Sequence, residues 1–168
     1  TISLCLIAKN EEEVIGRCIE SVMDIVDEII VIDTGSTDNT IAVAEKYGAK
    51  VYNFTWIDDF AAARNYSFSK ASKEYIFWLD ADDILFPGDK EKFIKLKENL
   101  DDTVDAVSMD YVLAVDENNK PVSSLKRNRL VKRKKDFLWI GKVHEYLEVY
   151  GNIISSNVSI LHQKNKPY

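Results

Sequence analysis

Tyr75-Ile76-Phe77-Trp78-Leu79 is an unbroken apolar run that meets Asp80, Asp82 and Asp83 in the next four positions. The run is short and rich in aromatic and β-branched residues, so it reads as a strand buried on both faces. Unpaired carboxylates inside a sheet are too costly, so the strand must end at Asp80 and project its acids from its carboxyl end. In an open α/β sheet that edge is where ligands bind. An Asp-x-Asp there offers the hard oxygen ligands that Mg²⁺ or Mn²⁺ takes while holding a diphosphate. The plainer alternative has Asp82 and Asp83 capping the following helix.

The rest of the chain repeats the alternation. Ile2 to Ile7 reads as a strand, followed by Asn10 and Glu13 as a helix cap with its reciprocal glutamate, and then by Ile15, Cys18, Ile19 and Val22 at helical spacing. Glu28 to Ile32 is a second strand ending on Asp33. A turn-forming stretch, Thr34 to Thr40, leads into a helix that Gly48 closes. Lys50 to Phe54 is a third strand, and a helix runs from Asp59 to Phe68 before the acidic strand. Strand and helix in turn, with short links, predict a mostly parallel sheet flanked by helices. After a helix over 88–100 the pattern becomes hairpin-rich: strand-like Val104 to Val115, a turn, a return over Val122 to Lys132, then Phe137 to Val149 and Ile153 to Leu161. The expectation is one domain over 1–168, with a nucleotide-binding half (1–100) and an acceptor half (101–168) sharing one sheet. The missing initiator Met and the stop soon after a strand read as a domain excised from a longer chain.

Charge and cysteine usage narrow the function. Acids outnumber bases 28 to 22, a net charge of −6, which argues against general nucleic-acid binding. No apolar run reaches the ~18 residues of a membrane span. Cys5 and Cys18 sit inside apolar patterns without metal-ligand spacing and read as reduced core residues of a cytoplasmic protein.

Chemistry then falls to few residues. Asp33, Asp80 and Asp82 stand at strand ends that a doubly wound sheet gathers into one crevice. Asp33 stands apart from the metal pair, so it can accept hydrogen bonds from a base or ribose, or be a turn acid that caps the following helix. Arg64, alone between Arg17 and Arg127, can pair with a strand-end acid, reach a phosphate bidentately, or lie solvated. Lys126 to Lys135 carries seven bases in ten positions, Arg129 among them. It is either a solvated edge hairpin or a contact to an anionic sugar-nucleotide or acceptor. His144 and Glu145 are both candidates for a general base, and on an extended segment only one of them faces the site. His162, after the last strand, can ligate a metal or a phosphate, or be structural.

The ordered set of motifs resembles the family 2 glycosyltransferases of the GT-A fold. Leu4 to Glu12 looks like the opening strand and loop, Ile29 to Thr40 like the second strand and acidic turn, and Asp59 to Asn65 like the Ala-Arg-Asn helix. Phe77 to Asp83 matches the Asp-x-Asp strand. Trp139 to Glu145 resembles a subgroup that includes bacterial glucosyltransferases of surface polysaccharide and of bacteriocin peptides. The family often has two successive acids where this chain has Asp33 and Thr34. The resemblance implies that Ala8, Asn10 and Glu11 line the nucleotide loop, that Asp33 contacts base or ribose, and that Arg64 braces the nucleotide. It further implies Asp82 as metal ligand and Asp80 on the ribose or the metal's water shell, Ala81 lying between the two acids at the donor; His162, from its place after the last strand, is a further metal candidate. Glu145 or His144 would be the base of an inverting transfer from a UDP-linked sugar, with Mg²⁺ or Mn²⁺, to an acceptor glycan, lipid-linked sugar or peptide. Peripheral contact with the inner face of a membrane is compatible with that acceptor range. Two other readings stand beside it. A receiver-type regulatory domain needs adjacent acids after the first strand, where this chain has Ala8-Lys9-Asn10. A catalytically silent glycan- or nucleotide-binding scaffold of the same fold is the other.

Overall fold

The structure, a computed structural model, describes residues 1–163. The first half alternates as the sequence predicts: β1 (Ile2–Ala8), α1 (Ile15–Val22), β2 (Glu28–Asp33), α2 (Thr40–Lys46), β3 (Lys50–Asn53), α3 (Phe60–Lys70) and β4 (Tyr75–Trp78). β1 pairs in parallel with β2 and with β4, and β2 with β3. β1 is the centre of this half, buried along nearly its whole length. Ile15, Cys18, Ile19 and Val22 form one buried stripe of α1 and join Leu4, Leu6 and Phe77 in the main core. Phe77 is fully buried and meets Phe93 with ring centroids 5.0 Å apart. Burying a side chain of that size contributes about 1.5–3 kcal/mol.

The second half comprises β5 (Asp83–Leu85), α4 (Lys90–Asn99), β6 (Ala106–Val115), β7 (Pro121–Lys132), a 3₁₀ turn over Arg133–Lys135, β8 (Leu138–Ile140), β9 (Tyr146–Glu148) and β10 (Ile153–His162). Eight strands make one sheet in the order β3-β2-β1-β4-β7-β6-β10-β5. β7 runs antiparallel to both β4 and β6, so it turns the parallel half into a mixed sheet. The two halves thus share one sheet.

Three local expectations change. Asn10 does not cap α1, which begins at Ile15 without a side-chain cap. Instead Asn10 adopts φ +53°, a left-handed conformation that asparagine tolerates, and its side-chain oxygen accepts the Thr37 N–H at 2.8 Å. Asp82 and Asp83 cap no helix, because Asp83 opens β5 and α4 starts only at Lys90. The Phe137 to Val149 segment leaves the main sheet, and β8 and β9 pair only with each other among the described residues. Packing explains that departure: Trp139 of β8 and Leu147 of β9 bury against Ala61 and Phe68 of α3 and against Trp78. Asn65 fixes the register by accepting the Trp139 N–H at 2.8 Å and donating to the Trp139 carbonyl at 3.0 Å.

Candidate active site

The carboxyl ends of β1, β2 and β4 open on a cavity of about 520 Å³. Ala8, Lys9 and Glu11 come from the end of β1 and its loop, and Thr34 from the end of β2. Asp80, Ala81 and Asp82 follow β4, Arg64 reaches in from α3, and His162 closes the far side. Trp56 and Phe60, whose rings meet edge to face at 4.8 Å, add an aromatic wall.

Small residues set the position of Arg64. Asp59 caps α3 by accepting the Ala62 N–H at 3.0 Å. The buried Ala61, Ala63 and Ser67 let the helix sit close on the sheet. Arg64 Nη2 then donates to Asp80 Oδ1 at 2.8 Å and its Nε to Glu145 Oε1 at 3.1 Å. Its guanidinium carbon lies 5.1 Å from the Trp78 ring centroid and 4.8 Å from that of Trp139. Burial disfavours the charged guanidinium, but Asp80 and Glu145 outweigh it and hold its pKa above the usual arginine value. Burial likewise pushes the Asp80 carboxyl up, and Arg64, followed by Arg129, more than reverses this and keeps it below the ordinary aspartate range. Asp82 differs. Burial raises its pKa, His162 opposes that, and the neighbouring Asp83 and Asp80 charges raise it further.

Beneath these acids lies a polar layer. Asp83 Oδ2 accepts the Asp80 N–H at 2.9 Å and Arg129 Nη1 at 3.2 Å, while its Oδ1 accepts the Tyr111 hydroxyl at 2.7 Å. Tyr111 Oη is also 3.0 Å from His162 Nδ1. The ligand atoms of Asp82, Asp83 and His162 lie within 4.8 Å of one another. Asp83 has both oxygens engaged and His162 Nδ1 meets the Tyr111 hydroxyl, so Asp82 is the carboxylate able to turn to an ion, with the imidazole of His162 and Asp80 beside it. A half-exposed carboxylate and an imidazole, next to acids that repel each other, fit a divalent cation that takes its remaining ligands from water and diphosphate oxygens.

A second cavity, of about 230 Å³, lies on the other side of the Arg64–Asp80 pair. Glu145, Trp139, Tyr146 and Arg127 line it. Glu145 therefore faces this smaller space, against the shared Arg64.

The structure places several expected site residues away from the main cavity. Asn10 is occupied with the β2–α2 turn and does not line it. Asp33 is 4% exposed and accepts from the Gly35 N–H, the Ser36 N–H and the Ser36 hydroxyl, so it organises its own turn. Its neighbour Thr34 lines the wall in its place. Arg129 is fully buried behind the acids, paired with Asp83 and stacked on Trp78 at 4.0 Å, and does not reach the cavity surface. His144 is exposed in the β8–β9 loop and lines neither cavity. Sequence reading gave no site role to Trp56, Phe60, Tyr111 or Trp139. An aromatic shortly before the Ala-rich helix and another at its first position were a usable signal for the first two. Nothing local in the sequence marks Tyr111.

Acids at the carboxyl ends of a mostly parallel sheet, with a buried arginine and an antiparallel second half, define the GT-A class of nucleotide-sugar transferase folds. Residues 3–150 match the family model described as glycosyl transferase family 2, and the chain belongs to that family. A TPR repeat-containing protein of Synechococcus elongatus is 46% identical over 100 residues, 60% of this chain and 24% of that protein. The prophage-derived glycosyltransferase SunS of Bacillus subtilis is 33% identical over 115 residues, 67% of this chain and 27% of that protein. The match thus spans about a quarter of the length of these curated relatives. Among solved structures, glucosyl-3-phosphoglycerate synthase from Mycobacterium tuberculosis, in complex with Mn²⁺ and UDP-glucose, superposes with a TM-score of 0.66 at 20% identity. That alignment covers 99% of this chain and 72% of the other. S. aureus TarS (1–349) gives 0.62 at 16% identity, covering 97% and 60%. At these identities the structural likeness speaks for the fold. Among the described residues no helix is long and apolar enough to cross a membrane.

Proposed function

We propose that the chain is the catalytic region of a metal-dependent, inverting glycosyltransferase that uses a UDP-linked sugar. The observation that carries this reading is the convergence of Asp80, Asp82, Arg64 and His162 on one cavity at the strand ends. Asp82 and His162 would hold a divalent ion, Mg²⁺ or Mn²⁺, with Asp80 at the ribose or the ion's water shell. When bound, that ion takes up charge on the departing diphosphate. The M. tuberculosis synthase of the same fold binds Mn²⁺ with UDP-glucose, which supports the choice of donor and ion.

In this scheme Trp56 and Phe60 give the base an aromatic wall, and Ala8, Glu11 and Thr34 shape the nucleotide loop. Arg64 ties the two cavities together, bonding Asp80 on the donor side and Glu145 on the other. Glu145 Oε1 is held by Arg64, which leaves Oε2 to take the proton of an acceptor hydroxyl or thiol. The acceptor atom then bonds to the anomeric carbon as the bond to the diphosphate oxygen breaks, and the electron pair leaves with UDP. The acceptor is a glycan, a lipid-linked sugar or a peptide. The free, buried Cys5 and Cys18 support a reducing, cytoplasmic setting.

Calorimetry tests the reading. UDP binds in Mn²⁺ and loses most of its affinity in EDTA; equal affinity in the two would overturn the metal assignment. Turnover of a UDP-sugar separates the enzyme from a silent scaffold of the same fold.

A further inference from the structure

We infer that Asn65 is a positioning residue for the transfer: by clamping the backbone of Trp139 it sets the β8–β9 hairpin so that Glu145 is held against Arg64. Asn65 lines neither the donor cavity nor the smaller one and acts through Glu145, so its role rests on the assignment of that residue as base.

A two-stranded hairpin standing alone is at best marginally stable. β8 and β9 pair only with each other among the described residues, so the place of Glu145 depends on what docks them. Apolar packing of Trp139 and Leu147 against Ala61, Phe68 and Trp78 is non-directional and does not by itself fix a position along α3. Hydrogen bonds do. Asn65 Oδ1 accepts the Trp139 N–H at 2.8 Å and Asn65 Nδ2 donates to the Trp139 carbonyl at 3.0 Å, the two-bond exchange that an adjacent strand would make. An aspartate there lacks the donor, a leucine lacks both groups, and a glutamine carries them a methylene farther out. Arg64, the preceding residue of α3, donates its Nε–H to Glu145 Oε1 at 3.1 Å, and its guanidinium carbon lies 4.8 Å from the Trp139 ring centroid. At the start of the same helix the Phe60 N–H, a donor the helix itself cannot satisfy, bonds the Lys142 carbonyl at 2.9 Å. Trp139, Lys142 and Glu145 are thus all tied to α3. Removing the clamp on Trp139 frees the strand end of that series and leaves Glu145 to hold its place through Arg64 and the Phe60–Lys142 bond. A misplacement of about 1 Å at a reacting centre costs on the order of 10²-fold in rate.

The Arg64 Nε–H reports the placement directly, because its acceptor is Glu145. In the ¹⁵N-labelled chain that signal, identified by its disappearance in Arg64→Lys, is followed by its exchange with solvent. Asn65→Ala should speed the exchange about tenfold or more, as local opening of the contact allows. The milder Asn65→Asp, which keeps an acceptor for the Trp139 N–H, should speed it less. UDP affinity in Mn²⁺ should stay near that of the parent in both variants, since Asn65 does not line the donor cavity. UDP release from UDP-glucose in Mn²⁺, with water as acceptor, gives the catalytic readout. Asn65→Ala should lower it roughly 10–100-fold in the parent chain and hardly at all in a Glu145→Gln chain, because both changes act on one step. A merely structural role would not produce that non-additivity. An Arg64 signal unchanged in Asn65→Ala overturns the role, and so does an equal further loss of UDP release in both backgrounds. Loss of UDP affinity in both Asn65 variants overturns it as well, making Asn65 a support of the whole fold. In each of these cases the deficit of Glu145→Gln stands and the base reading is spared. Glu145→Gln with the release of the parent overturns the base reading, and the role of Asn65 with it.

Discussion

Asp83 and Arg129 are ion-paired at 3.2 Å with neither side chain exposed to solvent. The pair is the floor under the acids, because Asp83 also holds the Asp80 N–H and the Tyr111 hydroxyl. Breaking a buried pair by removing one partner typically costs about 3–5 kcal/mol, since the other charge is left uncompensated. Arg129→Met should therefore lower the urea midpoint sharply, and Asp83→Asn should do the same. The double variant Asp83→Asn/Arg129→Met should be more stable than the sum of the single losses predicts. Strict additivity in urea unfolding would show that the two charges are not coupled.

Asp82 should behave in the opposite way. It is half-exposed, and its carboxyl crowds two other acids, so Asp82→Asn relieves repulsion in the unliganded protein. The expected outcome is unchanged or slightly raised thermal stability, together with loss of most of the Mn²⁺-dependent gain in UDP affinity. Calorimetry with Mn²⁺ and with EDTA reads the second effect. An Asp82→Asn chain that keeps the full gain would move the ion to other ligands.

What was legible in the sequence followed from local rules. The strand that stops at the acids was readable because a buried strand cannot continue through carboxylates. Parallel order in the first half followed from alternating periods. The role of Asn65 was not readable, because its partner Trp139 lies 74 residues away. The Arg64–Glu145 pair spans 81 residues and depends on the same hairpin docking. β8 and β9 alternate like any strand, so nothing in their own residues says that they leave the main sheet. Asp33 was open to two readings. Asp33-Thr34-Gly35-Ser36 is itself a pattern in which an aspartate bonds its own turn, whereas the sequence reading set only a helix-capping acid against recognition of a base.

The turn gives its own test. Asp33→Ala removes the acceptor of three hydrogen bonds. It should destabilise the fold by about 1–3 kcal/mol. Through Thr34 it should weaken uridine and UDP alike, because the disturbed wall is remote from the acids. Unfolding and binding measured on the same variant decide this: lost affinity with unchanged stability would restore Asp33 as a direct ligand of the base or ribose.

Glu28 sets a pH dependence far from the site. Burial pushes its carboxyl up. The Ser72 hydroxyl and N–H, then the Ser3 hydroxyl and Lys50, outweigh that and hold it below the ordinary glutamate range. A depressed folded-state pKa means that the unfolded chain binds the proton first as pH falls. The contribution of Glu28 is therefore full above the unfolded value of about 4.3 and is lost as pH falls through the lower folded value. Glu28→Gln should flatten that part of the stability curve, measured by urea unfolding between neutral and acid pH. An unchanged acid slope would remove Glu28 from the account.

The base assignment separates two adjacent residues. Glu145 lies against Arg64 on the smaller cavity, whereas His144 is exposed on the β8–β9 loop. Glu145→Gln keeps an oxygen for the Arg64 Nε–H, so the hairpin should stay docked and donor affinity should barely change. What it loses is the ability to take a proton. Turnover should therefore fall by ~10²–10⁴, the range expected for loss of a general base. The fall should appear in kcat and in kcat/KM together, because the missing interaction exists only in the transition state. His144→Ala should leave turnover and donor affinity near those of the parent chain. Steady-state kinetics with an accepted sugar or thiol separate the outcomes. Near-normal turnover in Glu145→Gln combined with its loss in His144→Ala would transfer the proton to the histidine, and would require the β8–β9 loop to fold inward when substrate is bound.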